Sequence, residues 1–145
     1  MRYVSIYLIV KDFEKSVAFY EKILSMKVSA QNGTRFAMFN NDGLNICIMN
    51  GYFDSMYPNE IKRLGEYFPK FDDMDKIAEN DNNTRKIFIN LYVDDLKQEY
   101  NRILSLNIAE EITPIRFIEY ASPYWYFTLT DPDGNPIEIT GGYYG

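Results

Sequence analysis

The sequence predicts an α+β fold of two βαβββ modules, whose strands make a curved eight-stranded mixed sheet with the helices outside. Three observations carry that reading, and each occurs twice in the same order. A strand runs into an acidic helix start at Val10-Lys11-Asp12-Phe13 and again at Val93-Asp94-Asp95-Leu96. The helices then close on the related phrases Ile23-Leu24-Ser25-Met26-Lys27-Val28 and Ile103-Leu104-Ser105-Leu106-Asn107-Ile108. Each half finishes in a hairpin: Asp42-Gly43 precedes Ile46-Cys47-Ile48, Asp133-Gly134 precedes Ile137-Glu138-Ile139, and Phe36 is matched to Phe127. Such self-similarity is the mark of a repeated supersecondary unit. One unit alone leaves a sheet face uncovered, so two side by side enclose a cup. The expected organisation is a single domain over 1–145, with module one at 1–51, a connector at 52–85 and module two at 86–145.

Along the chain, Ile6, Leu8 and Val10 alternate with Ser5, Tyr7 and Ile9, which predicts a strand with one apolar face. Asp12 is placed to cap a helix from Phe13 to Leu24, whose apolar residues Phe13, Val17, Phe19, Tyr20 and Ile23 recur at helical spacing. A short strand is expected over Met26–Ala30, then a loop at Asn32-Gly33, a strand from Thr34 to Phe39, a turn at Asn41-Asp42-Gly43 and a strand from Leu44 to Met49. The connector does not repeat. Pro58 suits a first helical turn, Ile61, Leu64, Tyr67 and Phe68 follow, and Pro69 stops the helix. An acidic stretch from Asp72 to Asn83 follows, and the connector is read first as a link whose short helix covers apolar sheet edge and second as a lid. In the final hairpin Pro132 sets the first corner, Asp133 the second, and Gly134 takes the left-handed conformation.

Composition removes several classes of function. There is no histidine, so imidazole-based triads and His metal sites are excluded. No glycine-rich phosphate fingerprint occurs. A net charge of −6 without a basic face argues against nucleic acid and anionic membranes as partners. Cys47 is the only cysteine and forms no intramolecular disulfide, and Met1 to Ser5 lack the features of a signal peptide, so a cytoplasmic location is expected.

The doubled unit, the opening Val10-Lys11-Asp12 ahead of a helix with Ser16 and Phe19-Tyr20, and the closing DPDGNPIEIT (Asp131 to Thr140) together resemble the vicinal oxygen chelate superfamily. That group includes glyoxalase I, bleomycin-resistance proteins, fosfomycin-resistance enzymes and extradiol dioxygenases. The resemblance implies four cup-lining metal positions, which fall here on Ser5, Cys47, Phe88 and Glu138. Phe88 has no donor atom, Ser5 offers a neutral hydroxyl, and Cys47 ligates only as thiolate. Two unlike donors hold a catalytic ion poorly, so neither metal nor any other cofactor is expected. In the bleomycin-resistance branch two chains often form one unit, which implies a homodimer.

Strand parity puts Ser5, Tyr7, Cys47, Phe88, Asn90, Tyr92, Tyr126, Thr128 and Glu138 on the cup side, and Phe36, Met38, Phe127, Leu129, Ile137 and Ile139 against the helices. The expected ligand-binding residues are Tyr7, Phe88, Asn90, Tyr92, Tyr126 and Glu138. Aromatic walls and one carboxylate suit a small planar or cationic molecule. Alternatively, the tyrosines merely fill a core. Glu138 is read as a binding anchor first, a hydrogen-bonded structural group second and a catalytic base third. Parity leaves Arg116 undecided near Pro114. Whether the protein is an enzyme stays open: the alternative to binding is a glyoxalase-like lyase, isomerase or dioxygenase whose metal is held by an altered ligand set. A third possibility is a protein-interaction module using the acidic connector.

Overall fold

The computed structural model describes residues 5–61, 73–82, 87–119 and 123–144. The chain is organised as two compact units, Met1–Asn82 and Asn83–Gly145. In the first, β1 (Ser5–Val10), α1 (Phe13–Ile23), β2 (Ala30–Asn32), β3 (Phe36–Asn41) and β4 (Leu44–Asn50) are followed by α2 (Phe53–Met56), a 3-10 turn at Pro58–Glu60 and α3 (Met74–Glu79). In the second come β5 (Ile89–Asp95), α4 (Leu96–Leu106), β6 (Arg116–Glu119), β7 (Pro123–Thr130) and β8 (Pro136–Gly142). Each unit holds one four-stranded mixed sheet, ordered β1-β4-β3-β2 and β5-β8-β7-β6. In both, the first strand runs parallel to the last and the remaining pairs are antiparallel. The fold class is therefore the α+β arrangement of two βαβββ modules read from the sequence.

The repeat is visible in its hydrogen bonds. The Asp12 carboxylate accepts from Lys15 N at 3.0 Å, and the Asp95 carboxylate accepts from Gln98 N at 2.9 Å. Both satisfy an N–H that the first helical turn leaves without a partner. Each helix buries its apolar stripe on its own sheet. Tyr20 of α1 meets Phe39 at a ring-centroid distance of 6.3 Å, and Tyr100 of α4 meets Phe127 edge-on at 5.0 Å. Ile46, Ile48, Ala37 and Phe39 complete the first core, and Ile137, Ile139, Phe127 and Leu129 the second, all buried.

Two expectations in the first module need correction. The second strand is Ala30–Asn32 rather than Met26–Ala30, because Met26 N still donates to Glu21 O at the end of α1, and Ser25 turns the chain with φ +51°. Phe36 and Met38 stand opposite Met49 and Cys47, on the face away from α1; the neighbours that bury against the helix are Ala37 and Phe39. The motif match of Phe36 to Phe127 failed by one residue. Between the paired positions Asn40 and Asn45 lie residues 41–44, but between Thr130 and Pro136 lie residues 131–135, one more. A single extra residue reverses every inward and outward position on the preceding strand.

The turn that closes the last hairpin is held by its first residue. Gly134 N donates to Asp131 O at 3.0 Å across Pro132 and Asp133, and Gly134 takes φ +79°. The buried Asp131 carboxylate accepts from Asp133 N, Asn135 N and Asn135 Nδ2 at 2.8–2.9 Å. In the connector, Pro58 does open a helical turn; the helix expected through Leu64, Tyr67 and Phe68 lies outside the described residues. The acidic stretch forms α3, which packs on the first sheet: a Cβ on Gly51 would collide with Ala78 Cβ and lie 3.2 Å from Ile9 Cγ2. This part of the connector covers β1.

Candidate functional site

In the second unit, parity on β5, β7 and β8 turns Phe88, Asn90, Tyr92, Tyr126, Thr128 and Glu138 to the face opposite α4. The register sets Asn90 against Glu138 on one side, and Thr128 against Glu138 on the other. A cavity of about 350 Å³ opens on that face, lined by Phe88, Glu111, Thr113, Arg116, Tyr126, Thr128, Leu129, Thr130, Pro136 and Glu138. Its size falls within the range for small-molecule sites.

Of the residues expected to bind ligand, Phe88, Tyr126 and Glu138 line this cavity. Asn90 does not line it but braces its floor, donating from Nδ2 to Glu138 Oε1 at 2.8 Å. Tyr92 is 73% exposed and lies outside the lining, and Tyr7, 57% exposed, belongs to the first unit.

Arg116, which parity left undecided, lines the cavity. It pairs with Tyr126 in the β6–β7 register, and its guanidinium carbon stands over the Tyr126 ring at 4.9 Å from the centroid. Glu111 and Thr113 were missed entirely. They enter because residues 111–113 run beside the end of β7, with Thr130 N donating to Glu111 O, Thr113 N to Thr128 O, and Thr128 N to Thr113 Oγ1. Only a bridge between Ile112 and Leu129 marks this pairing, and Pro114 interrupts any alternation that would have announced it.

Electrostatics follow from the crowding of acidic and phenolic groups. Tyr124, one turn of the pleat from Tyr126, has its phenol pushed above the ordinary range, first by desolvation and then by the nearby charges of Glu138 and Tyr126. In the first unit Cys47 is buried, and its thiol is also pushed up by desolvation, an effect that a hydrogen bond with Ser5 partly offsets. It stays protonated at neutral pH.

A family model for the Glyoxalase/Bleomycin resistance protein/Dioxygenase superfamily matches residues 2–139, and the chain belongs to that superfamily. Solved structures agree on the fold. A glyoxalase-related enzyme from Fulvimarina pelagi is similar with a TM-score of 0.63 and 13% identity, over 98% of this chain and 88% of that one. Lactoylglutathione lyase from Agrobacterium tumefaciens gives 0.58 and 15%, over 98% and 93%. A bleomycin-binding protein complexed with bleomycin gives 0.56 and 17%, over 98% of each chain. A search of curated proteins finds no match.

The metal positions that the resemblance implies fall on Ser5 and Cys47 in the first unit and on Phe88 and Glu138 in the second. These side chains do not fit a divalent ion. Ser5 is hydrogen-bonded to a thiol that desolvation keeps protonated, Phe88 offers carbon only, and Glu138 stands beside the amide of Asn90. Among the described residues no group of three or more His, Cys, Asp or Glu gathers closely enough to hold a metal.

Proposed function

We propose that this protein binds a small planar molecule without metal, in the manner of the bleomycin-resistance branch, using the cavity of its second module. The observation that carries the reading is the lining itself: two aromatic rings, Phe88 and Tyr126, beside Glu138 and a row of threonine hydroxyls, where a metalloenzyme needs strong donors. In this reading Phe88 and Tyr126 stack on the ligand, Glu138 anchors a cationic or hydrogen-bond-donating group, and Asn90 fixes the carboxylate. Tyr92 extends the aromatic surface of its own sheet, and Tyr7 presents an exposed ring on the first sheet. Modules 1–51 and 86–145, joined by 52–85, act as one domain, a view supported by a family model that spans both. The protein acts as a cytoplasmic homodimer, for which its lone buried cysteine and its exposed Tyr7, Phe88 and Tyr92 speak.

The experiment is metal analysis of protein purified without chelator, together with a thermal-shift screen of metabolites and antibiotics. Metal far below one per chain is expected, with a planar hit that stabilises the fold. At a hundred times its dissociation constant, such a ligand adds about 2.7 kcal/mol. Stoichiometric zinc, nickel, manganese or iron would overturn the reading in favour of a glyoxalase-like enzyme.

A further inference from the structure

The cavity carries charges of both signs that do not pair with each other. Arg116 and Glu138 line the same space, yet among the described residues Arg116 makes no ion pair. Its guanidinium lies over Tyr126 instead, and among the described residues the hydrogen bond to the Glu138 carboxylate comes from Asn90 to Oε1. Oppositely charged side chains on one sheet face ordinarily close on each other when their reach allows. Here they do not. Arg116 is on β6 opposite Tyr126, and Glu138 is on β8 opposite Thr128, so they are two strands and one pleat repeat distant. Strand spacings put their Cα atoms roughly 10–12 Å apart. The Arg116 guanidinium lies over the Tyr126 ring and Asn90 donates to the carboxylate, so each charged tip has a partner other than its opposite charge.

We propose that the ligand of this cavity is zwitterionic: a flat frame carrying a carboxylate at one end, for Arg116, and a protonated nitrogen at the other, for Glu138. The inference rests on the preceding reading of the cavity as a small-molecule site. Both a carboxylate and a phosphate can pair with the guanidinium fork, but a carboxylate is favoured because a dianion would meet Glu111 and Glu138 in the same lining. Thr113 Oγ1 accepts from Thr128 N, which leaves its proton for a ligand oxygen on the Arg116 side. Glu138 Oε2 remains for an ammonium or amidinium.

The test uses three matched probes on the full chain: 4-(aminomethyl)benzoate, benzylamine and benzoate. Binding is followed by NMR shifts of the Phe88, Tyr126 and Thr128 signals. The zwitterion is expected to bind at least about tenfold more tightly than either single-charge probe, in line with charge-assisted hydrogen bonds. Arg116→Gln should remove most of the preference of the zwitterion over benzylamine, and Glu138→Gln most of its preference over benzoate. Arg116→Lys, which keeps the charge but loses the fork, serves as a second variant that must bind the zwitterion more weakly than the parent. Benzylamine binding as tightly as the zwitterion, with Arg116→Gln indifferent, would overturn this inference and leave the small-molecule reading standing. No shift with any probe in folded protein would overturn both.

Discussion

Glu138 reaches beyond its own bond with Asn90, because its charge is one of the causes that hold the Tyr124 phenol above the ordinary range. Glu138→Gln should therefore lower the Tyr124 titration midpoint, followed by NMR of ring-labelled tyrosine; an unmoved midpoint would show that desolvation alone sets it. The sign for stability follows from a raised folded pKa. The fold favours the neutral phenol, so this contribution is intact below the ordinary tyrosine range and is lost as pH rises through the folded value. Asp131 acts at the same scale. Its buried carboxylate gathers three hydrogen bonds within the turn, and Asp131→Ala should cost roughly 2–3 kcal/mol in denaturant unfolding. A loss below about half a kcal/mol would mean that water replaces those bonds.

The helices of the two modules are set by the same device, a carboxylate one residue before the first turn. Asp12→Ala and Asp95→Ala should each cost about 1 kcal/mol, and the like geometry of the two caps predicts like losses. A loss confined to one variant would show that its helix is held by packing rather than by its cap. Helix starts, strand parity on β1, β5 and β8, and both Asp-Gly turns were legible because each depends on neighbours a few residues apart. The side-chain direction on β3 was not. It depends on loop length, and residues 131–135 outnumber residues 41–44 by one, which no local pattern on β3 records. The short β2 was equally hidden, since three exposed residues carry no apolar alternation.

For the molecule as a whole, exposed Tyr7, Phe88 and Tyr92 predict association. Sedimentation velocity at micromolar concentration should give twice the 17.1 kDa chain mass, and a monomer at every concentration would remove the homodimer from the proposal. The sequence by itself determined the duplicated α+β architecture, the helix caps and the poverty of metal donors at Ser5, Cys47, Phe88 and Glu138. The architecture and the caps follow from residue identity and short-range periodicity, and the four donor positions from the resemblance. Only the tertiary structure decided that Arg116, Glu111 and Thr113 join Phe88, Tyr126 and Glu138 around one cavity. The segment that brings them is irregular, with Pro114 in its midst, and finds its place by hydrogen bonds to β7 across a separation no pattern in the chain encodes.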